Sequence, residues 1–528
     1  MPESAVFTLS GQADAGRVLA SLESSFALLR EASPARQRVY LDTFDKRLQR
    51  AGMSLSSSAP NGFSALLLES AEGRVECRLA NGALPAFATD LPAGALQERV
   101  APVIQVRRLL PQATVETVGE AVRVLDEREK TVARVLTEHA TLASAGGEAA
   151  SAAPLQTLHV VPVRGYAGAM RRVRDHIQAE LGQKPTPGRV HAGTLSPTPP
   201  PGETSPGKYS APLVPDQSAG GALRVICTRL LDTIVCNEDG VRRDLDVEFL
   251  HDFRIAIRCT RSALAQLKKV FPADKHAHFR AEFKWLAAAT SELRDMDVYL
   301  QKIDAYCSSF PHIAARDLAP LKKYLHRKRA AARRRLLGVL RSRRYRCLLE
   351  DWREFLDAGL TGSAATKVAM KPVTEVASRR IWRAYRHIRR RGARIQENSA
   401  AHALHELRID GKKLRYLLTF FAALYEQKHL KPLQKSLKRL QDNLGDFNDI
   451  DVQQQILQSF AREMQAEGLA SADCLLSMGR LLEHLLDEQQ QQRRRFADCF
   501  RQFSSDENAN RFRRLFHATE PRRESLPA

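Results

Sequence analysis

Along residues 222–517, apolar positions recur at spacings of three and four, the period of helices that bury one face. Phe253, Ile257, Leu264 and Leu267 mark one such face, and Leu404, Leu407, Leu414, Leu417, Leu418 and Phe421 mark its counterpart. Gly and Pro collect between these segments, so the stretch reads as several antiparallel helices packed into bundles. Residues 1–181 are patterned differently. RQRVYLDTF, FSALLLES and RVECRLAN contain short alternating runs and read as strands. Turn signals punctuate them at Ala51-Gly52, Asn61-Gly62, Glu72-Gly73 and Asn81-Gly82, and YAGAMRRVRDHIQAEL (166–181) reads as a closing helix. Residues 182–218 are rich in Pro, Gly and Ser and read as a disordered or semi-extended linker. The predicted class is an α+β multidomain chain, with an antiparallel β-rich domain at 1–181 and an all-α domain at 219–517.

The helical part contains an internal repeat. HDFRIAIRCTR at 251–261 aligns with HELRIDGKKLR at 405–415, 154 residues further on. His251 falls on His405, Arg254 on Arg408, Arg258 on Lys412 and Arg261 on Arg415. The same shift carries Asp295 and Asp297 onto Asp449 and Asp451 without a gap. Repeat one is expected at about 219–362. Repeat two is expected at about 368–517, after the break AGLTGSAATK.

On a helix, the four basic positions of each motif share an arc of roughly 80° over roughly 15 Å. Arg suits such a stripe, because its planar fork bonds phosphate oxygens bidentately and stays charged. Cations gathered on one face repel one another, so an anion or a row of carboxylates is expected opposite. Charge along the chain supports the anion. Residues 1–205 hold about 22 Lys+Arg against about 21 Asp+Glu, while residues 206–528 hold about 59 against about 39. Nearly all of the net charge of +21 therefore sits in the helical part, where it draws in phosphate-rich polymers or anionic surfaces. Residues 321–346 and 379–394 contain no Asp or Glu. Their charge must be offset by other helices or by a ligand, and the ligand is the favoured reading.

His251 and His405 admit three roles: phosphate hydrogen-bond donors, metal ligands, or helix residues bonded to a carboxylate. Neighbouring cations and the lack of a second ligand at metal spacing disfavour the metal. RDMDV and NDIDV could suggest acid/base chemistry, but amid so much Arg their carboxylates are better suited to orienting guanidinium groups. No nucleophile, P-loop or oxyanion-type Gly cluster is visible, so neither catalytic residues nor a cofactor are assigned. The eight Cys show no paired spacing and read as reduced thiols. No signal peptide or membrane-spanning stretch is visible, which makes a cytoplasmic protein the expectation. Nucleic acid is a weaker candidate partner than other phosphate-rich polymers, because no aromatic residue stands between Arg254 and Arg261 to stack on bases.

The segments LHDFRIAIRCTRSAL and LHELRIDGKKLRYLL, with RDMDV and NDIDV downstream, resemble the CHAD family, the conserved-histidine α-helical domain, over roughly residues 219–517. That resemblance implies two pseudo-symmetric helical bundles and a basic central groove that binds inorganic polyphosphate, in some members at polyphosphate granules together with granule proteins. It implicates His251, Arg254, Arg258 and Arg261 with His405, Arg408, Lys412 and Arg415, and Lys413 at the groove edge. CHAD domains often follow a CYTH domain, an antiparallel tunnel fold that hydrolyses triphosphates with a metal. VYLDTFDKRLQRAGMSL (39–55) looks like part of one. The CYTH opening ExExK would fall in AVFTLSGQ, which has neither Glu nor Lys. The N-terminal domain is therefore expected to be a degenerate, inactive CYTH-like domain, and a metal-dependent triphosphatase or polyphosphatase is the alternative function.

Overall fold

Alternating side chains in the first part of the chain build a nine-stranded antiparallel sheet, whose strands lie side by side in the order Val75–Gly82, Phe63–Ser70, Met53–Ser57, Ala27–Asp42, Leu110–Leu125, Thr131–Ala143, Leu155–Pro162, Ala5–Leu9 and Thr186–Pro187. The computed structural model describes residues 5–9, 12–58, 63–70, 75–143, 155–187, 211–309, 316–359 and 366–517. The expected turns at Asn61-Gly62 and Glu72-Gly73, residues 188–210 of the expected linker and 360–365 of the expected break lie outside these. The chain divides into two units, Met1–Pro200 and Pro201–Ala528.

In the first unit the order is β1 (Ala5–Leu9), α1 (Gln12–Ser25), β2 (Ala27–Asp42), α2 (Arg47–Arg50), β3 (Met53–Ser57), β4 (Phe63–Ser70), β5 (Val75–Gly82), α3 (Ala95–Ile104), β6 (Leu110–Leu125), β7 (Thr131–Ala143), β8 (Leu155–Pro162), α4 (Ala167–Leu181) and β9 (Thr186–Pro187). Helices α1 and α4 cover one stretch of the sheet through Val18, Leu22, Val173 and Ile177 against Val124, Val135 and Val160. Helices α2 and α3 cover another through Leu48, Val100 and Ile104 against Leu41, Leu55, Leu66 and Leu68. The expected strands and closing helix are all present.

The described residues of the second unit are helical apart from connections and one isolated bridge. Its helices are α5 (Ala219–Arg243), α6 (Val247–Gln266), α7 (Ala273–Ala289), α8 (Ser291–Ser309), α9 (Ala319–Arg341), α10 (Arg343–Ala358), α11 (Val373–Gly392), α12 (Ala401–Phe420), α13 (Gln427–Ala466), α14 (Ala472–Ser504) and α15 (Asp506–Phe516). The sequence repeat is also a repeat of elements. Moved along by 154 residues, the starts of α5, α6 and α7 become the starts of α11, α12 and α13, and a 3-10 turn at Lys268–Val270 falls on another at Ala422–Leu424.

The two copies differ at one junction. α7 and α8 are separate helices interrupted at Thr290, whereas α13 runs unbroken for 40 residues through the equivalent Leu444. Thr290 and Ser291 donate their hydroxyls to Ala287 O at 2.9 and 3.0 Å, a local bond that competes with the helix. Leu444 has no hydroxyl and is buried.

The halves meet through matching surfaces. Ala219 N donates to Lys371 O at 2.8 Å, and Val373 N donates to Gln217 O at 3.0 Å. Each bond is the image of the other under the repeat shift. Contact between equivalent patches is the signature of a twofold relation, here a pseudo-twofold within one chain. α5 packs on α11 and α6 on α12, as the same axis requires. Met296 and Ile303 share one core with their repeat equivalents Ile450 and Leu457.

Candidate anion-binding site

Helix α6 starts at Asp246, whose carboxylate accepts from the backbone of Glu248 at 2.9 Å and of Phe249 at 3.2 Å. Phe253, Ile257, Leu264 and Leu267 are buried, as are Leu404, Leu407, Leu414, Leu417, Leu418 and Phe421. With these faces committed to the cores, the cationic stripes are left where α6 meets α12. Gln266 Nε2 of α6 donates to Lys413 O of α12 at 3.2 Å.

Arg258, Arg408, Lys412 and Arg415 crowd together there. Burial, then the charges of Arg258 and Arg408, depress the Lys412 ammonium to about 7; Arg415 adds to this and Asp449 opposes it. Burial also lowers Arg408, with Asp449 opposing and Arg258 and Arg415 reinforcing. Arg258 and Lys412 are repeat equivalents. Two equivalent positions can be neighbours only beside the axis that relates them, so this pair sits at the pseudo-twofold. Arg258, Arg261, Lys412 and Arg415 form no ion pair among the described residues; Arg415 lies over the Tyr416 ring at 5.6 Å.

The other stripe residues are occupied to different degrees. Arg408 donates to Asp449 Oδ1 at 2.7 Å. Arg254 donates to Thr290 Oγ1 at 2.8 Å and Ser291 Oγ at 3.2 Å, with Asp295 opposite, and burial lowers it to about 10. The two arginines thus face repeat-related carboxylates. His405 Nδ1 shares a short hydrogen bond with Asn448 Oδ1, an amide and not a carboxylate. His251 is half-buried at the equivalent place on α6. Lys413 is engaged elsewhere: its Nζ lies 2.8 Å from Asp410 Oδ1, while Asp410 Oδ2 takes His387 and Arg391, each at 3.0 Å. Lys302 was not visible from the repeat, because its equivalent is Ile456. It lies near Asp449, Asp446 and Glu488, and burial lowers its ammonium.

The aspartate motifs orient polar partners. Asp297 accepts from Arg329 Nε at 2.6 Å, and the same guanidinium forks onto Asp244 at 2.7 and 2.8 Å. Burial raises the Asp297 carboxyl, with Arg329 opposing. In the second half Asp451 accepts from Gln455 and Gln489 at 3.2 and 3.1 Å. Removing Arg329 leaves two carboxylates facing each other, Asp297 being only 1% exposed at its side chain. Arg329→Met is expected to lower stability by about 3 kcal/mol in urea unfolding; a loss below about 1 kcal/mol would contradict this role for the pair.

The acid-free segments need a correction. Most of the cationic charge on α9 is neutralised by other helices and not held for a ligand. Lys322 pairs with Asp304 at 2.7 Å, Lys328 with Glu463 at 2.5 Å, and Arg333 with Asp244 at 3.4 Å. Arg327 meets Glu467 and Arg335 meets Glu292. Just past α9, Arg344 pairs with Glu282 at 2.8 Å. The partners are distant in sequence, so local composition does not show them.

Among the described residues no group of three or more His, Cys, Asp or Glu is placed to hold a metal ion. All eight cysteines are free. No described helix is long and apolar enough to cross a membrane.

Residues 225–458 match the family model described as the CHAD domain. An uncharacterised protein of Mycobacterium tuberculosis, found in two strains, is 27% identical over 269 residues. The match covers 50% of this chain and 50% of the relative, so the chain spans about half the length of the curated relatives it matches. The crystal structure of the CHAD domain from the plant Ricinus communis is 26% identical, with 60% of this chain and 98% of that one covered at a TM-score of 0.44. PptA from Streptomyces chartreusis is 16% identical, with 54% and 100% covered at a TM-score of 0.41.

Proposed function

Residues 225–458 form a CHAD domain, a family associated with polyphosphate binding, and from that premise we propose that this chain is a non-enzymatic binder of linear inorganic polyphosphate. The observation that carries the reading is the cluster of Arg258, Arg408, Lys412 and Arg415 at the pseudo-twofold, opposed by the carboxylate of Asp449. Such crowding is unfavourable in the empty protein. A phosphate chain reverses the sign of each contact. Arg and Lys supply charge-assisted hydrogen bonds, with Arg254, Arg261, His251 and His405 flanking. Lys413 contributes at the edge through its partly neutralised ammonium.

The N-terminal sheet is proposed to be a degenerate CYTH-like domain without triphosphatase activity. Two of its carboxylates already have partners: Glu69 lies 3.6 Å from the Arg38 guanidinium and Glu138 lies 3.3 Å from the His159 ring. Its part would be to dock the protein on granule partners while the helical domain holds polymer, which places the protein at cytoplasmic polyphosphate granules. On this reading the domains are 1–181, a linker at 182–218, and 219–517 with repeats at about 219–362 and 368–517.

A fluorescence-anisotropy titration with polyphosphates of graded length tests the reading. Four phosphate contacts at the single-strand slope predict a loss of roughly fiftyfold between about 50 and about 200 mM salt. Affinity that ignores salt sinks the proposal. So does displacement of bound polyphosphate by a modest excess of RNA, which would favour the nucleic-acid alternative. Orthophosphate released from tripolyphosphate with Mg²⁺ or Mn²⁺ would favour the enzyme.

A further inference from the structure

Helix α11 carries the second acid-free segment, and its charge is only partly absorbed. Arg379 pairs with Glu375 at 2.6 Å, and Arg391 with Glu406 at 3.1 Å and Asp410 at 3.0 Å. Arg383, Arg386, Arg390 and Arg394 are exposed and make no ion pair among the described residues. The first three share an arc of roughly 60° on α11, and Arg394 follows just past its end, so the row spans about 16 Å. Ile381, Tyr385 and Ile388 bury the opposite face, which fixes the row toward solvent.

The carboxylates that pair with α11 from within and from α12 are already shared among several basic side chains. Glu375 holds Lys371 and Arg379, and Asp410 holds His387, Arg391 and Lys413. Like charges at helical spacing destabilise a helix by a few tenths of a kcal/mol per pair. A solvated helix relieves that with acidic residues interspersed, and none stands between Arg379 and Arg394.

Helix α11 packs on α12, and around the α12 axis Lys413 lies roughly 100° from Lys412, toward the side that meets α11. Exposed Lys413 and His387 therefore stand between the cluster and the arginine row. We infer that Arg383, Arg386, Arg390 and Arg394 form an outer contact for the same phosphate polymer, which continues over α11 once it is longer than the axial cluster can hold.

This rests on the polyphosphate reading of the cluster. The row itself favours a bare phosphate chain over other polyanions. Its flanking aromatic, Trp382, is half-buried against His517 and offers little surface for base stacking. No apolar side chain stands on the arc among the arginines to enter a bilayer. A second contact on one polymer raises affinity through effective concentration, without a new site for short chains.

The test is the full chain with Arg383, Arg386, Arg390 and Arg394 all changed to Gln, which keeps helix propensity and leaves the buried face intact. Binding of a short and of a long-chain polyphosphate is measured beside the unaltered protein, with thermal unfolding as the control for fold. The expected result is short-chain affinity within about twofold and long-chain affinity at least about tenfold weaker, the scale of a lost linked contact. An unchanged long-chain affinity, or an equal loss for both lengths, overturns the inference. So does loss of binding to duplex RNA or anionic phosphatidylserine vesicles with long-chain polyphosphate binding retained. Short-chain binding that survives Arg258→Glu with Lys412→Glu identifies failure of the central reading, a result separate from the long-to-short ratio.

Discussion

Arg258→Glu combined with Lys412→Glu is expected to abolish polyphosphate binding while leaving the empty protein at least as stable. Each position supplies a charged contact to phosphate worth about 1.5–3 kcal/mol. Losing both costs about 3–6 kcal/mol, or roughly a hundredfold to ten-thousandfold in affinity. Reversing the sign adds repulsion to that loss. The stability half of the expectation comes from the same geometry. Neither side chain has an ion-pair partner to lose, and both sit among Arg408 and Arg415. Two carboxylates placed there relieve repulsion, so the thermal midpoint should hold or rise. The pair would then trade stability for function. Anisotropy titration and thermal unfolding on the same preparation check both halves. Binding within about threefold of the unaltered protein would remove the axis from the site.

Binding is expected to be strongest below neutral pH and to draw protons from solution as it occurs. In the empty folded protein the Lys412 ammonium is held at about 7, against about 10.4 for an unperturbed lysine. For stability, the unfolded chain keeps that proton up to about pH 10.4 and the folded chain releases it above about 7. The unfolded state therefore binds more protons across this window, so stability rises with pH there and the burden is fully present below about 7. For binding, the polyanion prefers the charged form and raises its pKa. Affinity is then full below about 7 and weakens by up to about tenfold per pH unit above it, until the pKa of the complex is reached. At pH 7 about half a proton should be taken up per complex. Calorimetry in two buffers of different ionisation heat measures this directly. Lys412→Arg should keep the binding and remove the uptake, because a guanidinium remains charged throughout. Proton uptake unchanged in that variant would transfer the effect to another group.

The periodicity of leucine and phenylalanine and the two HxxR motifs were enough to locate the helices, the repeat and the cationic stripes. The gap-free shift from His251 to Asp297 also extends further than the motifs suggested, since the start of α5 obeys it as well. What the chain did not disclose is how distant charges pair. Arg327 with Glu467, and Arg329 with Asp244, are matched across packed helices. Local composition at 321–346 contains no sign of those partners. Lys413 was closer to hand, because Asp410 stands one helical turn before it. The fusion of two helices into α13 goes with two exchanges, Thr290 and Ser291 in the first copy against Leu444 and Gly445 in the second, which no periodicity argument weighs.

The reciprocal bonds joining Ala219 to Lys371 and Val373 to Gln217 set the two backbone halves about one axis, so a seat on that axis meets matching backbone from either side. A nucleic acid strand has a 5′ and a 3′ end, and such a seat would have to bind it in two unequal orientations. A chain of phosphoanhydrides has no sense of direction. On the proposed reading it can enter from either end, and what tells one entrance from the other is the set of exchanges between the halves, Arg258 for Lys412 and Cys259 for Lys413 among them, with the outer arginine row standing on the second half alone.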